Sequence, residues 1–160
     1  MNKKQELIHL IVASLNQDLD TLIQVAQVAH AAATHEESKA EDSHDTRGLE
    51  ASYLAGAQSA RIEQLKKTIT IFKSSNFKDF KANSAINVGA VVDVTLDGKK
   101  ISYLLASHAG GKEVIWNGRS IHIITPQAPL GEALMGRRAG EDIEIESKDR
   151  TRNYQIQSVS

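Results

Sequence analysis

The chain has 160 residues, a formal net charge of −1, 41% hydrophobic residues, 24% charged residues and only 4% aromatics. That length suits one or two small domains with a mainly aliphatic core, and the near-neutral balance gives no case for nucleic-acid binding by bulk electrostatics. The lack of cysteine excludes a disulfide framework and a thiolate zinc site, and suits a reducing, cytoplasmic setting.

The chain opens MNKKQELIHL, with lysines ahead of apolar residues as in a signal peptide. Polar residues return at Ser14, Asn16, Gln17, Asp18 and Asp20, so no long apolar run forms. Neither a signal peptide nor a membrane span is expected. Ile8, Val12, Leu15, Leu19, Leu22, Ala26, Ala29 and Ala33 instead follow one another at alternating steps of four and three. This is the heptad seam of a long helix packed along one partner helix. The partner is the stretch from about 47 to 74, with Leu54, Ala57, Ile62, Leu65, Ile69 and Phe72 at helical spacings.

Between the two runs lies HEESKAEDSHD, residues 35–45, in which Glu36, Glu37, Glu41, Asp42 and Asp45 make five of eleven positions acidic. Two antiparallel helices then form a hairpin with this cluster at its free end. By residue type alone the cluster reads either as a ligand set or as a solvated turn. Asp45 by itself reads as the N-cap of the second helix.

Near residue 75 the composition changes: both prolines and eight of the ten glycines lie beyond it. The polar stretch SSNFKDFKANSA contains a linker, placed at 76–85. Strands and turns follow. Asp97-Gly98 and Asn117-Gly118 each sit between apolar runs and predict tight hairpins. PLGEALMG predicts a short helix with Pro129 in its first turn and Gly136 at its end. EDIEIES and NYQIQSVS predict closing strands. Trp116 is expected to be half-buried, and Arg137-Arg138 either to favour the C-terminus of the short helix or to contact an acidic patch on a partner. The fold class is therefore α+β: a helical hairpin over 1–75, then a small domain of five or six strands and one short helix over 86–160.

The segment TPQAPLGEALMGRRAGEDIEI, residues 125–145, resembles the S-P-[IL]-G-x-A-L-[IL]-G-K-x-x-G-D-x-[VI] stretch of the bacterial Gre transcript-cleavage factors, GreA and GreB. Pro129, Leu130, Gly131, Ala133, Leu134, Gly136 and Gly140 fall in register, with Ala128 in place of the family's serine. Val88-Gly89-Ala90, Tyr103, Tyr154 and Ile156 fit the surrounding strands. At the hairpin tip, DTRGLEASY is similar to the family's D-x-x-E-N-A-E-Y through Ala51 and Tyr53, with Glu50 where the family has asparagine. Asp45 meets the first acidic position after a one-residue insertion, and the second acidic position falls near Gly48 or Leu49. The nearer resemblance is to the divergent Gre-like branch.

The resemblance implies an antiparallel coiled-coil hairpin with an acidic tip near 36–46 and an FKBP-like C-terminal domain. It implies RNA polymerase as partner, with nascent RNA and DNA met only indirectly in the elongation complex and no membrane. The hairpin would enter the secondary channel and stimulate cleavage of backtracked RNA, the hydrolysis being the polymerase's own. Asp45, Asp42 and Glu41 would act as Mg²⁺ ligands inside the polymerase active centre, with no cofactor stably bound to the chain itself. Pro129, Leu130 and Gly131 would serve polymerase binding or domain docking. Two rival readings stand beside this one: a channel competitor or inhibitor without cleavage activity, and an FKBP-type peptide-binding module whose pocket would draw on Tyr103, Trp116 and Tyr154.

Overall fold

The computed structural model describes residues 2–37 and 47–160, with side chains described for 2–32 and 56–160. The first two elements are α1, Lys3–Glu37, and α2, Arg47–Ser74. They form the N-terminal antiparallel coiled-coil hairpin. On α1 the seam is legible in burial: Ile8 and Leu15 are buried, while Val12, Leu19, Leu22, Ala26 and Ala29 are half-buried. Ile11 adds a further buried contact beside the seam.

The α2 seam differs from the expected one by a residue. Ile69 and Phe72 are buried and Ile62 and Leu65 half-buried, but Ala57 is exposed and Gln58 turns inward instead. The heptad rule explains the change. Stepping back four from Ile62 reaches 58, so 58, 62, 65, 69 and 72 keep the alternation of four and three. Ala57 is apolar, but it lies five residues from Ile62, off that stripe. Side by side, α1 and α2 leave a groove lined by Ile23, Ala26, Gln27, His30, Ala31, Ser59 and Ile62.

The chain divides into two compact units, residues 11–74 and residues 1–10 together with 75–160. The second unit is built on a six-stranded mixed sheet: β1 Val91–Leu96, β2 Lys99–Leu105, β3 Glu113–Trp116, β4 Arg119–Ile124, β5 Asp142–Glu146 and β6 Thr151–Val159, with the short helix α3, Pro129–Leu134, between β4 and β5. The strand order is β3-β4-β2-β1-β6-β5. Every pair is antiparallel except β2 with β4. Both hairpins turn as predicted. Asp97 and Gly98 have φ of 51° and 77°, and Asn117 and Gly118 have φ of 52° and 75°. Positive φ at both central residues is the type I′ turn, whose twist matches that of the strands it joins.

Alternation sorts the strands onto two faces. One face gathers Val92, Val94, Leu105, Tyr154 and Ile156 into a core with Ile86, Leu134 and Ile143, and half-buried Leu130 and Ala133 of α3 pack against it. The other face holds Val91, Leu104, Val114, Ile121 and Ile123, also buried. Trp116 shares this second face and is 6% exposed, so it is buried rather than half-buried. Its place next to the Asn117-Gly118 turn suggests more exposure, but on this face even the edge strand β3 is covered.

Candidate functional site

The segment 125–141 is built around a close backbone approach. The Ala128 N–H donates to the Thr125 carbonyl at 3.1 Å, and the Glu132 N–H donates to the Ala128 carbonyl at 2.8 Å. Pro129 stands in the first turn of α3, where the missing N–H costs nothing. Ala128, as N-cap, offers no side-chain oxygen to the turn. Gly131 lies directly on Thr125: a Cβ there would sit 1.9 Å from the Thr125 carbonyl oxygen. Of the three residues singled out by sequence, Gly131 is thus buried, Leu130 is half-buried against the core, and Pro129 is exposed.

Beyond α3 the chain reverses at Gly136, whose φ is +80°. Its N–H donates to the Ile86 carbonyl at 2.8 Å, and the Ile86 N–H donates to the Arg137 carbonyl at 2.7 Å. The Arg138 guanidinium donates to the Asn83 carbonyl at 2.6 Å, and Arg137 pairs with Glu141 at 3.8 Å. Since α3 ends at Leu134 with no basic residue in its last turn, the two arginines do not complement the helix C-terminus. Arg138 instead fastens the 83–86 segment to the loop.

A polar cluster that sequence reasoning missed lies on the second face of the sheet. Asp93 of β1 is 8% exposed. Its Oδ1 accepts from the Ser102 hydroxyl at 2.6 Å, and its Oδ2 from the Ser158 hydroxyl at 3.0 Å. Arg119 Nη1 donates to both carboxylate oxygens at 3.1 and 3.0 Å, and Lys100 Nζ lies 3.4 Å from Oδ2. The sheet register places these groups: Ser102 and Ser158 are the cross-strand partners of Asp93 on β2 and β6. Burial pushes the Asp93 carboxyl up, but the Ser102 hydroxyl, Arg119, the Ser158 hydroxyl and Lys100 outweigh it and hold the carboxyl below its ordinary range. Arg119 also stacks over Trp116, 5.5 Å from the ring centre. The available signal was a charge inside the apolar run VVDVTL.

The aromatics do not converge. Tyr103 faces the α3 side, tilted against His122 with ring centres 5.8 Å apart, and Tyr154 belongs to the core on that side. Trp116 lies on the opposite face, so the three do not line one pocket. Glu41, Asp42 and Asp45 lie outside the described residues. Among the described residues, no three His, Asp or Glu side chains come together as a metal site.

Residues 81–160 match the family described as transcription elongation factor GreA/GreB, C-terminal, and the chain belongs to the GreA/GreB family. It is 25% identical over 143 residues to transcription elongation factor GreA of Thermomicrobium roseum, a span that covers 86% of this chain and 85% of that protein. Among solved structures it is similar to GreA factor homolog 1 (Gfh1) of Thermus thermophilus, at 23% identity and TM-score 0.39, with 93% of this chain and 94% of that one covered. A GreA/GreB factor from Nitrosomonas europaea is 18% identical with TM-score 0.37, over 62% of this chain and 78% of that one. The described residues contain no helix long and apolar enough to cross a membrane.

Proposed function

We propose that this elongation factor binds RNA polymerase and presents its hairpin tip through the secondary channel, where it stimulates cleavage of backtracked RNA. The observation that carries this reading is the joining of a GreA/GreB domain to two long helices, α1 and α2, with Glu41, Asp42 and Asp45 in the sequence between them. At 1.5 Å per residue a helix the length of α1 extends roughly 50 Å, enough to carry charge far from the hairpin base. Carboxylate oxygens are the donors Mg²⁺ prefers, and one or two suffice because the ion keeps several waters. Glu41, Asp42 and Asp45 would hold the ion, which when bound neutralises charge on the oxygens exchanged at the phosphodiester. The catalytic centre is the polymerase's own, so the chain acts as an accessory to its hydrolysis. Pro129, exposed at the start of α3, is assigned to polymerase contact.

The test is RNA cleavage in stalled, backtracked complexes, with wild type set beside Glu41→Ala, Asp42→Ala and Asp45→Ala. Loss of a ligand lowers cleavage at least about tenfold in one or more variants. Three variants as active as an active wild type would remove the tip assignment. A specific observation favours a second reading: the family's second acidic position falls at Gly48 or Leu49, neither of which carries a carboxylate. Polymerase binding that authentic Gre factor displaces, without any cleavage, would identify a channel competitor.

A further inference from the structure

The sheet ends in two edge strands, β3 and β5, and they are defended differently. An edge strand offers unpaired N–H and C=O groups to any other extended chain, and charges along it are the usual protection. On β5, Asp142, Glu144 and Glu146 are all exposed and share one face. Two-fold pairing of β5 with a second β5 sets residues of the same face against each other, so carboxylates always oppose carboxylates. That edge is closed to self-association.

Strand β3 lacks this protection. Its exposed residues are Glu113 and Ile115, and Ile115 is 63% exposed. The Glu113 carboxylate accepts from the Ser120 hydroxyl of β4, so the one charge on the strand is held over its own sheet. The direction of the backbone follows from the turn. A two-residue type I′ hairpin closes on a hydrogen-bonded pair, here Trp116 with Arg119, and bonded pairs recur at every second residue. Val114 with Ile121 is the next, and the Ile123 N–H donating to the Lys112 carbonyl at 2.8 Å continues the series. The N–H and C=O groups of Glu113 and Ile115 therefore point away from β4, and no other strand of the sheet lies beside them.

We propose that β3 pairs antiparallel with β3 of a second copy of this chain, about a two-fold axis through Val114. This register sets Glu113 of each copy opposite Ile115 of the other. The outward groups then meet in bonded pairs, about four main-chain hydrogen bonds in all. No like charges are opposed. The two Ile115 side chains lie diagonally on one face, within reach of each other, so apolar surface left open in the single chain is covered. The complement of the strand is the strand itself: donors and acceptors two positions apart match the same pair reversed, as a two-fold contact requires. The pairing uses no residue assigned above to the polymerase or to the tip, so it stands or falls apart from that function.

The contact is small, so the test is run on the full chain at concentrations up to about 1 mM. Sedimentation velocity should show the mass move from one chain towards two as concentration rises. Amide exchange at both ends of that range reads the register. The Glu113 and Ile115 amides should exchange quickly in the dilute sample and be protected in the concentrated one, while Val114 and Trp116 are protected in both. Ile115→Lys changes an exposed side chain that the core does not use, and sets two ammonium groups near each other across the axis. It should weaken association at least about tenfold. A chain that stays single at every concentration overturns the proposal. So does a dimer in which the Glu113 and Ile115 amides exchange freely, or one that Ile115→Lys leaves intact, because such a dimer is held together elsewhere.

Discussion

Gly131 and Asp93 show how single residues carry the sheet domain. At Gly131 the Thr125 carbonyl occupies the space a methyl group would need, and backbone cannot swing aside as a flexible side chain can. Gly131→Ala should cost about 2–4 kcal/mol in urea unfolding followed by the fluorescence of Trp116, the chain's one tryptophan. Its place in the family-like segment therefore reflects packing, and of the three loop residues only Pro129 is exposed. Asp93 makes a different prediction. Its folded carboxyl titrates below the ordinary value, so its contribution is present at neutral pH and lost as pH falls through the folded value, below about 4. Asp93→Asn should be less stable than wild type at pH 7, and the gap should narrow in acid. An equal gap at pH 7 and pH 3 would show that the ionic partners contribute little.

At the scale of the elements, the hairpin seam holds the instructive departure. Gln58 occupies a seam position, and its Oε1 is buried without a hydrogen-bond partner among the described residues. A buried acceptor left unmet costs on the order of 1–3 kcal/mol, and leucine at the same position adds apolar contact. Gln58→Leu should stabilise the hairpin by about 1 kcal/mol or more, measured by helical circular dichroism in urea. A polar seam residue also discourages wrong registers, so the same variant is expected to tolerate altered pairing better than wild type does. The sequence pattern was sufficient for α1, both I′ hairpins, the short helix and its reversal at Gly136, because each depends on local spacing or on a residue suited to one backbone conformation. It was insufficient for the face of each strand. Period two says that alternate residues part company, but not which side is covered, and so Trp116 was expected to be more open than it is.

For the whole molecule, the division of the chain is the main result. The first ten residues group with 75–160, although helix α1 runs on unbroken to Glu37. The sheet unit thus takes part of its covering from the far end of the sequence, with Lys4 as one visible tie. Deleting residues 1–10 should lower the stability of the sheet unit by at least about 2 kcal/mol, since the burial of Leu7 and Ile8 is lost together with the Lys4 hydrogen bonds to the Lys78 and Gly89 carbonyls. Trp116 fluorescence in urea reads this directly, and an unchanged midpoint would show that the sheet stands without that helical turn.

What the sequence determined by itself was the succession of elements, the acidic composition of the segment between the helices, and the resemblance that led to the GreA/GreB family. These are written in neighbouring residues: heptad steps, Asp-Gly and Asn-Gly turns, and one motif of fixed spacing. Only the tertiary structure decided that Asp93 gathers Ser102, Ser158, Arg119 and Lys100, that Gln58 rather than Ala57 faces the seam, and that Lys4 reaches Lys78 and Gly89. Each of these depends on which chain segments are brought together across long stretches of sequence. That is settled by the register of whole strands and helices, which no local spacing encodes.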